Sequence, residues 1–287
     1  MKFDLFKIKT PGPGVPDNEP EQPRWKLFLK IFADKLVQIL GLNFLYVVFS
    51  IPSFILSYFI SYYIIGHSFD LYFGFTLDKN LFEMLLPRVL LGILMVIVPA
   101  VAIGPIHAGF TYVLRNFTRR EHAYVWWDFK DHAIANMKQG LLVTLFNVLI
   151  VFVLGTAINQ YIVISSSLPA VLTYAAIGFL SLVFAVFLSM NFYIYPLMIT
   201  YDMKITELYK VAYSFAFFRL IPNLLLLLAI IVILVLAYGI LPWLGPLLTV
   251  IILPGGILYL INYVVDPVIK KFEEEQDLAS IETDEIE

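Results

Sequence analysis

The sequence predicts an all-α fold, a polytopic membrane helical bundle with six transmembrane helices and both termini in the cytoplasm. Three observations predict it. First, 60% of the 287 residues are hydrophobic and only 14% are charged, where soluble domains carry about 25% charged residues; mean hydropathy is +0.85. Second, six stretches, at about 42–65, 88–112, 141–162, 169–199, 220–240 and 246–268, each reach bilayer-crossing length with almost no charge in their cores. A span needs roughly 20 mostly apolar residues, and in lipid only a helix pairs all of its own backbone groups. Third, seventeen of the nineteen Lys and Arg residues fall on one side of this arrangement, which positive-inside bias makes the cytoplasmic side.

Taken in order, residues 1–23 are polar and Pro/Gly-rich and read as a flexible cytoplasmic tail with no signal-peptide core. Residues 24–272 form the six-helix membrane domain. It opens with "WKLFLKIFADKLVQIL", where Lys26, Lys30, Asp34 and Gln38 recur every fourth residue and Trp25, Phe28, Phe32, Leu36 and Ile39 fill the other side. Span one ends in the tyrosines of "SYFISYYIIG", and the loop "HSFDLYFGFTLDKNLFEMLLP" holds Lys79, while Arg88 begins span two. These are the two cations left on the outer side.

Span two leads into "GPIHAGFTYVLRNFTRREHAYVWWDF", which turns basic at Arg115, Arg119 and Arg120. The arginines mark a cytoplasmic exit, and Trp126 and Trp127 read as headgroup anchors. In "WWDFKDHAIANMKQG", Trp126, Phe129, Ala133 and Met137 lie opposite Asp128, Asp131 and His132, with Lys130 and Lys138 among them. Spans three and four follow. "MKITELYKVAYSFAFFRL" repeats the amphipathic pattern, with Leu208, Val211, Phe215 and Phe218 opposing Lys204, Glu207 and Lys210. Helices of this kind lie in the headgroup region with the apolar side toward lipid. Spans five and six complete the bundle, and the acidic residues 273–287 read as a solvated cytoplasmic tail.

Each amphipathic segment is followed by an asparagine in the next apolar run: Asn43, Asn147 and Asn223. The unit of amphipathic helix, asparagine, span, outer connection and span thus occurs three times. Two readings stay open: a threefold helix-pair repeat, common in membrane folds, or the periodicity of any six-helix chain with basic inner loops.

The absence of cysteine excludes disulfides, thiolate catalysis and Cys-based metal sites. A net charge of −3 gives no overall basic field for nucleic acid. No G-x-x-x-x-G-K-[ST] loop, G-x-S-x-G elbow or His-rich metal spacing occurs, so neither an enzyme nor a cofactor is expected.

Candidate residues lie where polar or backbone-freeing groups meet apolar runs. His107 reads either as an intramembrane proton or ligand site, or as a histidine bonded to backbone freed by Pro105. Gly104, Pro105 and Gly109 admit close packing and a kink. Pro254, Gly255 and Gly256 should break span six near the bilayer midplane, exposing backbone to a substrate or to a neighbouring helix that fills the kink. Asn191 and Asn262 are expected to join helices.

The run from Gly104 to Gly140, with "LNFLYVVFSIPSF" before it, resembles the YesL-like family of bacterial integral membrane proteins, a domain of unknown function. The matching positions are Gly104, Pro105, Ala108, Arg115, Arg120, Glu121, Trp127, Phe129 and Lys138; His107 departs from the usual small residue. The resemblance covers roughly residues 24–230. It implies a bacterial cell-membrane protein associated with oligosaccharide uptake, and it supplies no catalytic or binding residue.

The expected function is therefore a non-catalytic accessory or scaffold in the lipid bilayer, beside the permease and ATPase subunits of a carbohydrate ABC importer. The alternative is an independent transporter. Importer permeases carry a Glu-Ala-Ala loop with a glycine; "ELYKVAYSFAFFRLIP" starts at Glu207 and reaches Pro222 without the alanine pair or the glycine.

Overall fold

The computed structural model describes residues 23–65, 103–164, 168–239 and 243–284. The N-terminal tail, the outer loop with Lys79, and span two up to residue 102 lie outside these residues. Every regular element among the described residues is an α-helix: α1 (Arg24–Asp34), α2 (Leu36–Ile65), α3 (Gly104–Thr118), α4 (Val125–Ala135), α5 (Met137–Val163), α6 (Ala170–Thr200), α7 (Ile205–Phe218), α8 (Leu220–Gly239), α9 (Leu244–Ile251) and α10 (Leu253–Asp284).

Four helical stretches are long and apolar enough to cross a membrane: Leu36–Ile55, Met137–Ile162, Ala170–Thr200 and Leu220–Gly239. The bent pair α9–α10 makes a fifth if it is counted as one span. The chain is thus a multi-pass, all-helical protein suited to a bilayer. α6, at 31 residues, is about 46 Å long and outreaches a hydrocarbon core of about 30 Å. Only 11% of the most apolar window of α5, and the same share of α6, is buried inside the protein. In water such exposure would drive aggregation; in lipid it costs nothing.

Three times, a short helix stops at one non-helical residue and a long apolar helix begins directly after it. The stops are Lys35 (φ −104°, ψ 8°), Asn136 (φ −94°, ψ 15°) and Arg219 (φ −113°, ψ 33°). The sequence pattern runs uninterrupted through these points, so the breaks are tertiary in origin. Part of each expected apolar side meets protein rather than lipid. Phe28 and Phe32 of α1 pack on Tyr259 of α10 at ring separations of 5.0 and 5.5 Å. Phe129 of α4 is buried near Phe49 of α2. Leu208, Ala212 and Ala216 of α7 are buried, with Leu208 and Ala212 in the larger hydrophobic cluster. Other members of those sides, Trp25, Trp126 and Phe218, stay exposed, together with Trp127, Tyr213 and Phe217.

α3 sits at the centre, touching α1, α2, α4, α5, α6 and α10. Close approach on two sides depends on glycine. A Cβ on Gly104 would lie 2.0 Å from the carbonyl oxygen of Gly140 on α5, and one on Gly109 would lie 2.2 Å from that of Phe129 on α4. The core divides into two clusters, one around α6, α7, α8 and α10, the other around α1, α2, α3 and one face of α10. α10 runs unbroken past residue 272 to Asp284, so the boundary drawn between membrane domain and acidic tail falls within one helix.

Candidate functional site

The polar residues of the bundle gather where helices break or cross. The chain breaks at Ile252 (φ −149°, ψ −21°), where α9 and α10 meet at 63°. Pro254 stands in the first turn of α10, where its missing N–H leaves no bond unmade; the break precedes it. The freed backbone is not open. Asn43 of α2 donates through Nδ2 to the carbonyls of Val250 (2.8 Å) and Thr249 (3.3 Å), and its Oδ1 accepts from the Gly255 N–H (2.8 Å). Gly255 allows this approach, since a Cβ would stand 3.2 Å from that of Asn43. Thr249 donates back to the Gly245 carbonyl and shares a 2.5 Å hydrogen bond with the Tyr238 hydroxyl.

The other two asparagines do related work. Asn223 of α8 donates to the carbonyls of Phe215 and Ala216 at the end of α7, and accepts from the Tyr193 hydroxyl of α6 at 2.7 Å. Asn147 of α5 donates to Asn191 Oδ1 of α6 at 2.7 Å and accepts from Tyr209 of α7 at 2.9 Å. All three side chains are almost wholly buried. Asn191 joins helices as expected; Asn262 instead donates to the Leu258 carbonyl of its own helix.

His107 lies in the first turns of α3, 6% exposed. Its ring is 4.1 Å from that of Tyr195 on α6 and 6.4 Å from that of Tyr46 on α2. Nδ1 has no hydrogen-bond partner, so the expected bond to backbone freed by Pro105 is not made through that atom. Pro105 opens α3 rather than interrupting it among the described residues, beside a Gly104 N–H that donates to Thr144 Oγ1 at 2.8 Å.

The three arginines separate into three roles. Arg115 in the last turn of α3 donates to Thr200 Oγ1 at 2.7 Å and lies over the Tyr112 ring. His132 of α4 stacks on the same ring at 3.4 Å. Burial and the nearby Arg115 cation push the His132 pKa below its ordinary value, against the opposing pull of Asp128 and Asp131. Arg119 bridges to α10, 2.7 Å from Asp266 and 3.2 Å from Glu273. Arg120 is exposed and holds φ at 60°. It closes a Schellman turn, with its N–H on Phe117 and that of Glu121 on Asn116, in the left-handed position glycine usually takes.

Asp128 caps the start of α4 by accepting from the Tyr124 N–H at 2.8 Å. Trp127 is exposed with Lys130 beside its ring, while Phe129 is buried. Lys138 is exposed at the start of α5. Among the described residues, no three His, Asp or Glu side chains group as metal ligands. The residue types singled out in sequence thus scatter over the break, the α3–α6 contact and the inner rim rather than meeting in one cleft. Tyr195, Tyr209, Gly140, Asp266 and Glu273 gave no local signal, because their roles lie in partners distant along the chain.

Comparison with family models, curated proteins and solved structures finds no match to this chain.

Proposed function

We propose that the chain is a six-span protein of the bacterial cell membrane with both termini in the cytoplasm, built as three helix-pair repeats and acting as a non-catalytic accessory or scaffold. Its partner in this reading is the permease and ATPase of a carbohydrate ABC importer, the association that the YesL-like resemblance implies. The three stops at Lys35, Asn136 and Arg219, each followed by a long helix bearing a buried asparagine, support the repeat.

One observation carries the scaffold reading: the backbone freed at the bend is occupied while the apolar flank is open. Asn43 occupies the backbone groups at the only bent pair of candidate membrane helices among the described residues. Meanwhile α5 and α6 leave most of their apolar surface free. A transporter needs polar groups available to its cargo; a scaffold needs lateral surface for other helices. Affinity capture of the tagged chain from native membranes in mild detergent should bring a permease and an ATPase with it. Recovery of the chain alone at full yield would overturn the reading.

The bend at Ile252 favours an independent transporter as second reading. Labelled oligosaccharide accumulating in vesicles that contain only this protein would establish it.

A further inference from the structure

We propose that α1 carries a binding site for the headgroups of anionic phospholipids. The inference rests on α1 lying at the membrane surface, as in the reading above.

α1 is held rigidly by its inner face. The Tyr263 hydroxyl of α10 donates to the Arg24 carbonyl at 2.6 Å, and that of Tyr259 to the Phe28 carbonyl at 3.2 Å. The Arg24 guanidinium donates back to the Tyr263 carbonyl and lies over its ring. Phe28 meets Tyr259 and Tyr263, and Phe32 meets Tyr259, at ring distances of 5.0 to 5.5 Å. The helix therefore does not swing free; its outer face is presented in a set orientation.

That outer face pairs apolar surface with cations that no described carboxylate meets. Trp25 is 62% exposed and Leu29 53%. Lys26 lies 5.5 Å from the Trp25 ring and Lys30 follows one turn later, whereas Lys35 at the stop turns inward over the buried Phe117 ring of α3 at 5.4 Å. The ion pairs among the described residues are those of Arg119 and Lys271, so no described carboxylate neutralises these lysines. Asp34 is the one acid on α1. An indole at acyl depth beside ammonium groups at phosphate depth matches the two halves of a phospholipid. A zwitterionic headgroup offers the same phosphate with its own cation attached; an anionic one leaves a net charge for the lysines. The other two short helices expose aromatics as well, but α4 sets Asp128 and Asp131 against Lys130 and His132, and α7 sets Glu207 against Lys204 and Lys210 and has no tryptophan. An indole combined with a cationic excess singles out α1 among the three.

The test uses the full chain in nanodiscs of phosphatidylcholine containing a minor fraction of phosphatidylglycerol, with retained lipid read by native mass spectrometry. Phosphatidylglycerol should be enriched on the protein, and K26Q/K30Q should weaken its retention about twentyfold, given the few-fold contribution of each surface cation. Gln keeps the helix propensity of Lys, and circular dichroism checks that the variant is folded. Equal retention by parent and variant overturns the site. So does displacement of the lipid by glycerol phosphate at the same concentration, which would make it a site for free phosphate. Quenching of Trp25 by brominated acyl chains, in a chain whose other tryptophans are Phe, reports the placement of α1 separately. Quenching without enrichment sinks the lipid site alone; no quenching sinks the placement as well.

Discussion

Asn43 shows how much one side chain can hold in a bundle without water. It satisfies two carbonyls and one N–H at the break between α9 and α10. Asn43→Ala should destabilise the protein by about 2 kcal/mol or more, since buried backbone groups left unpaired cost about 1–3 kcal/mol each and membrane hydrogen bonds are worth somewhat less than that. Thermal unfolding in detergent measures it, and a variant as stable as the parent would mean that α9 and α10 repack. His132 makes a second prediction. Its folded-state pKa is lowered, so the neutral ring is the stabilised form. Stability is complete above the unfolded value of about 6.5 and falls as pH drops below it. The thermal midpoint should decline between roughly pH 7 and 5, and His132→Gln should flatten that decline.

Among elements, the α3–α5 crossing depends on paired glycines. Gly104→Ala would drive a methyl against the backbone of Gly140, where no rotamer change relieves the clash, so the yield of folded protein should collapse. Gly155→Ala on the same helix α5 meets open space and should leave yield intact or slightly improved, as alanine favours helix. Size-exclusion profiles of the two variants separate packing from propensity; matching profiles would show that the crossing is loose. The glycine-proline pair was visible in sequence as a packing signal. Its partner Gly140 was not, because no local pattern says which helix a small residue will face.

For the whole molecule, the absence of native cysteine makes topology directly measurable. Single cysteines at positions 30, 120 and 210 should react with an impermeant maleimide only after the cytoplasmic side is opened, and one at position 166 should react in intact cells. Labelling of position 120 from outside would invert the proposed orientation. Arg119, Asp266 and Glu273 tie α3 to α10 at the end of α3 where position 120 lies.

The amino-acid sequence by itself determined the solvent. Hydropathy and segment length depend only on which residues follow one another, so the apolar helices and their need for lipid were legible without coordinates. The amphipathic segments and the three asparagines were legible for the same reason. Tertiary structure decided where each helix stops and what each polar group meets. Lys35, Asn136 and Arg219 interrupt patterns that continue through them, and part of each apolar side of α1, α4 and α7 turns to neighbouring helices instead of lipid. Lipid and protein interior are almost equally apolar, so hydropathy cannot distinguish them; only packing shape and hydrogen-bond partners far apart in the chain can.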